Sequence, residues 1–362
     1  MKICHVINSL NRGGAESHLL ELVKAQSNTR LNVDVVVIGK DNLNILSIEK
    51  ELNNSCNNIY RLKGPRMFNL FSYFKLKNII KNNQYDIIHS HQPRSDYMIF
   101  LLKKYIFPKT FFKWVVSIHG KYDSYLENNY KKIFKLYFFK KLVKSWIYAD
   151  SVIVISNEVE NWLKNLTTQI HPFVINYWIS LKEQESTNID INPTIGFLGR
   201  LNKNKGIEDL IESLNNIKIN FKFYIGGYGS SSYIKFLKDK MNPKLRKNST
   251  FLGYVEDQSR FFKDIDLFIF PSYSEGLGLV LLEAMSYQKI CITRNVEPMN
   301  RFINNKNGYL FNDIKELEDS ITQASNDLKK ENIYLEKIRN IKKVLEIYDI
   351  ENVFPKILEV YK

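Results

Sequence analysis

Short apolar runs recur along the whole chain, and stretches with helical spacing separate them. Because short runs that are apolar throughout are typical of strands buried on both faces, this alternation predicts parallel sheets flanked by helices. In the first half, the predicted strands span 2–8, 32–38, 86–89, 113–118 and 151–155. The predicted helices between them span 15–28, 68–82, 95–107, 130–148 and 158–166.

A second series of the same kind follows the polar stretch 180–193. Its predicted strands span 194–198, 221–225, 250–252, 267–270 and 290–293, with helices at 207–215, 232–240, 258–263 and 279–287. The pattern predicts two doubly wound α/β domains, 1–179 and 180–345, and a C-terminal helix at 346–362 that packs back on the first domain. Two such domains enclose a cleft, and ligands of open α/β sheets bind beyond the carboxyl ends of the strands. We therefore expect functional residues directly after strands.

Composition narrows the class of protein. With 362 residues, of which 44% are hydrophobic and 25% charged, the chain can build two sizeable cores. It contains no run of 18 apolar residues, and the N-terminus enters a strand without a cleavable apolar region. Cys4, Cys56 and Cys291 form no CxxC pair, so neither a zinc cage nor a disulfide framework is expected. A cytoplasmic location fits these features best.

Positive charge is concentrated in one block. Between Arg61 and Lys144 there are 18 basic and 4 acidic residues, an excess of 14 that equals the net charge of the whole chain. Such a block attracts nucleic acid, an anionic membrane surface or phosphorylated substrates, or it is a solubilising surface. In the predicted helix 130–148 the lysines fall on all sides, so core packing with snorkelling lysines explains it as well as membrane binding does.

Glycines and charged residues follow several predicted strands. Gly13 and Gly14 follow the first strand, where they allow an anion to approach a helix N-terminus, although no GxGxxG is present and a simple tight turn fits equally well. Arg200 and Lys205 follow the strand 194–198, where two cations can converge on one diphosphate or simply form a basic loop. Gly227 follows the next strand, in a glycine-rich turn.

The most informative segment follows the strand 267–270. Glu275 lies in the loop, the glycines Gly276 and Gly278 lead into a helix, and Glu283 lies inside the apolar run of that helix. A loop carboxylate can accept hydrogen bonds from sugar hydroxyls, the helix N-terminus can hold a phosphate, and the helix carboxylate can accept hydrogen bonds from ribose hydroxyls. An unpartnered buried carboxylate is costly, which favours a ligand-binding or hydrogen-bonding role for Glu283.

Seven motifs in this order resemble the family-4 retaining glycosyltransferases (glycosyl transferases group 1), and they cover essentially the whole chain. They are Gly13-Gly14-Ala15-Glu16, Asp86-Ile-Ile-His89-Ser-His91, Ser117-Ile-His119-Gly120, Gly199-Arg200 with Lys205-Gly206, Gly226-Gly227-Tyr228-Gly229, Phe251-Leu252-Gly253, and Glu275 with Glu283. The resemblance implies the GT-B fold, in which two Rossmann-like doubly wound domains face each other across a cleft. The first domain would bind the acceptor and the second the nucleotide sugar.

The resemblance also implies roles for individual residues. Arg200 and Lys205 would bind the donor diphosphate, Glu283 the ribose and Glu275 the donor sugar, while His119 would face the reacting sugar. These expectations make His119, Glu275, Arg200 and Lys205 the catalytic candidates. The remaining donor-binding candidates are Gly13, Gly14, Gly227, Tyr254, Val255, Gly276, Leu277, Gly278, Leu279 and Glu283. The acceptor-binding candidates are Glu16, His89, His91 and Arg94.

The chain departs from the family pattern at two places. The family usually has Pro-Asn-Gly between the domains, where this chain has Ile175-Asn176-Tyr177-Trp178. It also usually has an acidic residue before the last glycine of the motif that ends at Gly229. These departures bear on the linker and on the phosphate contacts, not on the class.

No metal site is expected. Asp264 and Asp266 match the DxD of metal-dependent transferases, but they precede a strand and so lie at the edge opposite the expected ligand. His89, His91 and His119 follow strands without a third close ligand at metal spacing, and His5 is expected to be a hydrogen-bonded core residue.

These observations predict a metal-independent retaining glycosyltransferase, cytoplasmic and peripheral on the inner face of the membrane. It would move a sugar from a nucleoside-diphosphate sugar, a UDP-sugar above all, to a glycan or lipid-linked glycan in bacterial surface polysaccharide synthesis such as that of lipopolysaccharide. No cofactor besides the donor is expected. The alternatives are a nucleotide-sugar epimerase or a phosphorylase on the same fold. A nucleic-acid-binding protein is a further alternative, although the chain lacks the usual nucleic-acid-binding motifs.

Overall fold

The computed structural model of the protein describes residues 1–41, 46–62, 70–122, 132–179, 181–182 and 192–362, without the side chains of 132–135. The chain divides into two compact units. The first comprises Met1–Tyr177 and Val353–Lys362, and the second comprises Trp178–Asn352. The last ten residues of the chain therefore return to the N-terminal unit.

The first unit is built on a parallel sheet. Within the described residues this sheet has seven strands, in the order β3-β2-β1-β4-β5-β6-β7. The strands are β1 (Lys2–Ile7), β2 (Asn32–Val37), β3 (Asn58–Arg61), β4 (Ile87–Ser90), β5 (Lys113–Ile118), β6 (Ser151–Val154) and β7 (Phe173–Val174). The helices are α1 (Gly14–Asn28), α2 (Glu49–Asn53), α3 (Leu70–Asn83), α4 (Pro93–Tyr105), α5 (Lys132–Trp146) and α6 (Asn157–Leu166).

The second unit repeats this architecture. Its parallel sheet has six strands among the described residues, in the order β10-β9-β8-β11-β12-β13. The strands are β8 (Thr194–Leu198), β9 (Lys222–Gly226), β10 (Ser249–Gly253), β11 (Leu267–Phe270), β12 (Ile290–Arg294) and β13 (Gly308–Phe311). The helices are α7 (Ile207–Asn216), α8 (Ser231–Asp239), α9 (Pro243–Asn248), α10 (Gln258–Lys263), α11 (Leu279–Ser286), α12 (Met299–Phe302), α13 (Ile314–Asp327), α14 (Glu331–Glu346) and α15 (Ile350–Tyr361), the last of which ends in the first unit.

The predicted α/β alternation with parallel strands is confirmed in both units. Strands β4 and β11 are buried at every position, as expected for strands covered by helices on both faces. Three strands that the pattern did not predict, β3, β7 and β13, lie at the edges of the two sheets. Edge strands have only one neighbour and need fewer buried residues, which is why their apolar signal is weak. The predicted linker 180–193 and the first residues of the predicted helices 68–82 and 130–148 fall largely outside the described residues.

Each sheet reverses its strand order beside its first strand. In the first sheet β1 pairs with both β2 and β4, and in the second β8 pairs with both β9 and β11. The loops after β1 and β4, and those after β8 and β11, therefore border the two switch points where ligands of such sheets bind. Among the described residues, no helix is long and apolar enough to cross a membrane.

Candidate functional site

In the second unit, the loop after β8 approaches the loop after β11. Lys203–Lys205 form a single 3₁₀ turn that ends at Gly206, whose φ is +64°. A Cβ on Gly206 would lie 2.1 Å from the carbonyl oxygen of Pro271, so only glycine allows the two backbones to come this close. The amide of Tyr273 also donates to the carbonyl of Asn204 at 3.0 Å. The two loops therefore form one backbone assembly at the switch point.

Lys205 and Glu275 meet across this assembly. The Nζ of Lys205 donates to Oε1 of Glu275 in an ion pair, and the two side chains are 17% and 14% exposed. Nζ also lies 5.8 Å from the ring centroid of Phe270. Arg200 is exposed at the end of β8. One sheltered cation–carboxylate pair and one exposed guanidinium thus lie on loops that border the switch point, where ligands of such sheets bind.

The segment after Glu275 leads into α11 with a glycine. Gly278 has φ +80° and is the N-cap residue of α11, and its carbonyl accepts the amides of Leu281 and Leu282. Glu283 lies half-buried on that helix, whereas Leu277 is 3% exposed and packs into the interior of the unit. Gly276 and Leu279 are both half-buried on either side of this turn.

The remaining donor-side candidates follow β9 and β10. The amide of Gly227 donates to the carbonyl of Gly253 at 2.6 Å, and a Cβ on Gly227 would lie 1.7 Å from the carbonyl oxygen of Gly199. Val255 packs beside Gly226, and Tyr254 is exposed with its ring 6.4 Å from that of Tyr228. The loops after β8, β9 and β10 are therefore in backbone contact with one another.

The DxD pair lies at the opposite edge of the same sheet. Asp266 Oδ2 accepts the amide of Thr194 at 2.7 Å, and the amide of Asp266 donates to the carbonyl of Thr194 at 2.8 Å. These bonds tie the beginning of β11 to the beginning of β8. Asp264 is the C-cap residue of α10. The interpretation of this pair as a strand entrance is thereby confirmed.

In the first unit, the first turn of α1, directly after the loop that follows β1, carries a buried carboxylate. Glu16 is 8% exposed, and its Oε1 accepts from Nε2 of Gln92 at 2.7 Å. Gln92 in turn accepts the amide of Asn8 at 3.0 Å. Burial raises the pKa of Glu16. A Cβ on Gly13 would lie 2.7 Å from Oε2 of Glu16, so a larger residue at position 13 would overlap the carboxylate.

Gly14 and Arg94 border the same loops. Gly14 is the first residue of α1, directly after the N-cap residue Gly13. Arg94 is half-buried near the start of α4, with Nη1 3.3 Å from the place a Cβ on Gly39 would occupy, and burial lowers its pKa.

Five of the six histidines of the chain lie together in the first unit. They are His5, His18, His89, His91 and His119. A chain of hydrogen bonds runs through three of them. His5 Nε2 bonds to Oε1 of Gln26 at 2.8 Å, His5 Nδ1 to Nε2 of His91 at 2.8 Å, and His91 Nδ1 to Nε2 of His119 at 3.1 Å. His119 Nδ1 bonds to the hydroxyl of Tyr177, which is the last group in this series of hydrogen bonds.

His89 lies beside this chain and has its own partners. Its Nδ1 bonds to the hydroxyl of Tyr361 at 2.7 Å and its Nε2 to Oγ of Ser117 at 2.7 Å. Nε2 of Gln26 donates to the same hydroxyl of Tyr361 at 3.1 Å. Through Tyr361, the C-terminal helix α15 thus joins the histidine cluster.

This cluster corrects two expectations. His89 and His91 are 0% exposed and both ring nitrogens of each are engaged within the cluster, so direct contact with an acceptor is excluded in this conformation. The absence of a third nearby nitrogen ligand was also wrong, because ligand nitrogens of His5, His89 and His91 lie within 4.8 Å of one another. The expectation that His5 is a hydrogen-bonded core residue is confirmed.

Burial keeps these imidazoles neutral. It lowers the pKa of His5 to about 4 and that of His119 to about 3, and it lowers the pKa values of His18, His89 and His91 further below the usual range. A neutral imidazole has one donor and one acceptor nitrogen, which is what a continuous chain of hydrogen bonds requires.

Sequence reasoning missed four residues of this cluster, His18, Gln26, Tyr177 and Tyr361. Tyr177 is 3% exposed and its ring stacks on that of His18 at 3.9 Å between centroids. The signal that could have found it was the departure from Pro-Asn-Gly, which puts a tyrosine where the family has glycine. Gln26 and Tyr361 carried no comparable signal, since each lies inside an ordinary helical pattern.

Comparisons with known proteins agree with this architecture. The model of Glycosyltransferase Family 4 matches residues 12–175, and that of Glycosyl transferases group 1 matches residues 192–327. The chain is 24% identical over 306 residues to the O-antigen biosynthesis glycosyltransferase WclY of Escherichia coli, covering 82% of this chain and 80% of that protein.

Two further proteins illustrate the range of similarity. An N,N'-diacetylbacillosaminyl-diphospho-undecaprenol alpha-1,3-N-acetylgalactosaminyltransferase of Campylobacter jejuni is 22% identical over 310 residues, covering 81% of each chain. The structure of Anabaena HepE in complex with UDP-glucose superimposes with a TM-score of 0.79 at 18% identity, covering 99% of this chain and 98% of that one.

Two parallel α/β units of this topology, which match the HepE structure along nearly their whole length, define the GT-B fold. The chain belongs to the family-4, group 1 glycosyltransferases, because the two family models account in turn for its first and second units. The fold and the family that the sequence motifs implied are both confirmed.

Proposed function

We propose that this glycosyltransferase moves a sugar from a UDP-sugar to a glycan or lipid-linked glycan acceptor during the synthesis of a bacterial surface polysaccharide. The observation that carries the proposal is the ion pair between Lys205 and Glu275 at the switch point of the second sheet. It holds a cation and a carboxylate together where a ligand of such a sheet binds, and these are the groups needed for a diphosphate and a sugar hydroxyl.

The donor would lie along the loops of the second unit. Lys205 and Arg200 supply positive charge for the diphosphate, and the first turn of α11 supplies backbone amides near Gly278. Glu275 is placed to accept hydrogen bonds from the sugar, and Glu283 those from the ribose. Because cations and a helix N-terminus already provide positive potential, the proposed reaction needs no metal ion.

The printed names of similar proteins support this choice of substrates. WclY acts in O-antigen biosynthesis, the Campylobacter jejuni protein is named for a diphospho-undecaprenol substrate, and HepE is described in complex with UDP-glucose. A surface polysaccharide product, a lipid-linked acceptor and a UDP-sugar donor are therefore the first candidates to test for this chain.

We propose retention of the anomeric configuration by substitution on one face of the sugar. The bond from the anomeric carbon to the leaving phosphate oxygen breaks as the bond to the acceptor oxygen forms on the same face. The leaving diphosphate takes the proton of the acceptor hydroxyl. Arg200 and Lys205 stabilise the negative charge that develops on that diphosphate, which is where electrostatic catalysis is most effective.

Docking on an anionic membrane would bring a lipid-linked acceptor to the first unit. Helix α3 exposes three apolar side chains near its start, Leu70, Phe71 and Phe74, and Lys75 is exposed beside them. On α5 the Nζ of Lys141 lies 4.5 Å from the ring centroid of Tyr137, which is also exposed. Exposed aromatic and basic side chains are typical of surfaces that bind the headgroup region of a bilayer.

The test is nucleotide release from a panel of nucleotide sugars, measured with and without a bacterial lipid extract and with EDTA in a parallel series. We expect UDP release that increases with the extract and does not change with EDTA, and a product whose anomeric proton coupling in NMR matches that of the donor. Inverted product, or activity lost in EDTA and restored by manganese, would contradict the corresponding part of the proposal. A requirement for inorganic phosphate would indicate a phosphorylase instead.

A further inference from the structure

The orientation of the Gln26 amide sets the direction of the hydrogen bonds in the histidine cluster. Oε1 of Gln26 can only accept, so Nε2 of His5 must carry a proton and donate to it. Neutral His5 then has an unprotonated Nδ1, which accepts from Nε2 of His91. By the same step, Nδ1 of His91 accepts from Nε2 of His119. Each ring in the chain therefore carries its proton on Nε2.

The amide nitrogen of Gln26 continues the network to His89. Its Nε2 donates to the hydroxyl oxygen of Tyr361, and that hydroxyl donates to Nδ1 of His89. His89 is then left with its proton on Nε2, which donates to Oγ of Ser117. A reversed amide would require every ring to carry its proton on Nδ1 instead, with Nδ1 of His119 donating to Tyr177, so the imidazole tautomers and the amide orientation are fixed together.

At the other end, Nδ1 of His119 is left as an acceptor, and the hydroxyl of Tyr177 is the donor that meets it. We propose that Tyr177 is a positioning residue of the glycosyl transfer: its hydroxyl holds the imidazole of His119 in one orientation, with the proton on Nε2. The inference rests on the proposed function, in which His119 faces the reacting sugar.

The packing around Tyr177 makes this contact specific. Its ring stacks on His18 at an interplanar angle of 15°, and it is nearly inaccessible to solvent. The hydroxyl is therefore held by the ring and cannot turn to water instead. The glycine that the family usually has at this position carries no hydroxyl, so this way of holding the histidine depends on the residue that this chain has there.

Both nitrogens of His119 are then engaged inside the unit, by Tyr177 and by His91. The ring is consequently not free to exchange a proton with a substrate, and it presents a neutral, fixed surface. This agrees with the proposed reaction, in which the leaving diphosphate takes the acceptor proton.

A metal ion is the competing explanation for three close histidines. His5, His89 and His91 offer nitrogens within 4.8 Å of one another, but each of these nitrogens has a hydrogen-bond partner in the cluster. A metal would have to displace several of these bonds, including those of Gln26 and Tyr361. The arrangement therefore favours hydrogen-bonded neutral rings.

The experiment combines NMR of the imidazole nitrogens with kinetics. In ¹⁵N-histidine-labelled wild-type protein, with His119 assigned from the His119→Gln spectrum, we expect an unprotonated Nδ1 and a protonated Nε2. Tyr177→Phe keeps the aromatic ring and removes the hydroxyl. It should alter the Nδ1 signal of His119 and lower kcat for UDP release from UDP-glucose roughly 5–10-fold, the effect of one lost hydrogen bond, with little change in KM.

Tyr85→Phe is the matched control, because it removes another buried tyrosine hydroxyl of the same unit, one that donates to Asp34 at 2.6 Å. It should leave kcat and the His119 signals unchanged. The proposal is overturned if wild-type His119 carries its proton on Nδ1, if folded Tyr177→Phe keeps wild-type kcat, or if the purified protein holds stoichiometric zinc. Should Tyr177→Phe fail to fold, the wild-type spectrum and metal content still decide. A wild type that releases nucleotide from no sugar donor would instead defeat the proposed function, whatever its tautomers.

Discussion

Lys205 and Glu275 are 70 positions apart in the chain, and their ion pair joins the loops that follow the two central strands of the second sheet. Removing either partner leaves the other charge partly sheltered from water, where an unpaired charge is costly. A ligand diphosphate would offer Lys205 a second anionic partner in the same place. The pair is therefore placed to serve both the loop structure and the ligand.

Arg200→Ala and Lys205→Ala should each lower kcat/KM for UDP release, by about 2–4 kcal/mol of transition-state stabilisation, because each removes a cation that is proposed to face the developing diphosphate charge. Steady-state nucleotide-release kinetics measure this loss. Lys203→Ala, which removes an exposed lysine from the same turn, is the matched control and should retain activity. Normal turnover in both Arg200→Ala and Lys205→Ala would show that the donor lies elsewhere.

Substitution of Glu275 and of Glu283 should weaken the binding of different ligands. Glu283→Gln should weaken binding of free UDP, because Glu283 is proposed to accept hydrogen bonds from the ribose hydroxyls. Glu275→Gln should leave free UDP binding unchanged and weaken binding of the UDP-sugar. Isothermal titration with UDP and with UDP-glucose distinguishes them, and an equal loss of UDP affinity in both variants contradicts this division of roles.

At the level of elements, the close approach of neighbouring backbones restricts some loop positions to glycine. Gly206→Ala and Gly227→Ala each combine a positive φ with a Cβ that would lie 2.1 Å and 1.7 Å from a carbonyl oxygen. Gly253 has φ +67°, but a Cβ added there would meet open space, so Gly253→Ala tests backbone strain without steric overlap. We expect Gly253→Ala to lose about 1–2 kcal/mol of unfolding free energy. The other two should lose more than about 3 kcal/mol, since overlap adds to strain. Urea denaturation compares them; equal losses in all three variants would argue against the close approach.

Much of the fold could be predicted from the sequence, because central strands such as β1, β5 and β11 are continuous apolar runs. The edge strands β3, β7 and β13 and the short helices α2, α9 and α12 could not, since each is too short for its periodicity to show and depends on its neighbours. The donor-side candidates could be placed because glycines and charges at the ends of strands give a local signal.

The histidine cluster could be predicted only in part. His89, His91 and His119 were found from their positions at strand ends, but their partners come from distant elements. Gln26 lies in α1, and Tyr361 is 335 positions further along the chain. No local periodicity encodes such contacts. The sequence pattern predicts that the C-terminal helix packs on the first domain, but it does not predict that Tyr361 bonds to His89 there.

At the scale of the whole molecule, the buried histidines should make stability sensitive to acid. The folded-state pKa of His5 is about 4 and that of His119 about 3, below the value of 6.5 expected in the unfolded chain. Between these values the unfolded state binds more protons, so stability is full above pH 6.5 and is lost as the pH falls toward 4. The difference between the folded and unfolded pKa of His5 alone corresponds to about 3 kcal/mol of unfolding free energy. Urea unfolding at a series of pH values measures the loss, and a flat profile below pH 6.5 would contradict the burial of neutral rings.

Asp96 changes the free energy of unfolding with pH in the opposite direction, and it provides the control. Burial raises its pKa to about 7, although its Oδ2 accepts from Nε1 of Trp146 at 3.0 Å. The folded state therefore keeps a proton that the unfolded state releases, and stability from this group falls as the pH rises from about 4 to 7. Asp96→Asn should remove that slope, so the variant should become more stable relative to wild type as the pH rises. Parallel profiles for the two proteins would contradict the raised pKa.

The last prediction concerns docking of the whole molecule on a membrane. If the exposed side chains of α3 and the lysines of α5 bind anionic lipid, the protein should float with vesicles in proportion to their anionic content. Binding should weaken as salt shortens the Debye length to about 8 Å at physiological ionic strength. Replacing Phe71 and Phe74 by Ser, or Lys140 and Lys141 by Ala, should reduce flotation, because the first change removes apolar contacts and the second removes attraction to anionic headgroups. Leu335→Ser, which changes an exposed apolar residue of the second unit, is the matched control and should float like wild type.

UDP release from UDP-glucose without acceptor should survive in all variants, because the proposed donor site is on the other unit. Failure of wild type to float with strongly anionic vesicles at low salt would make membrane docking wrong, and an acceptor free in solution would then be the better proposal.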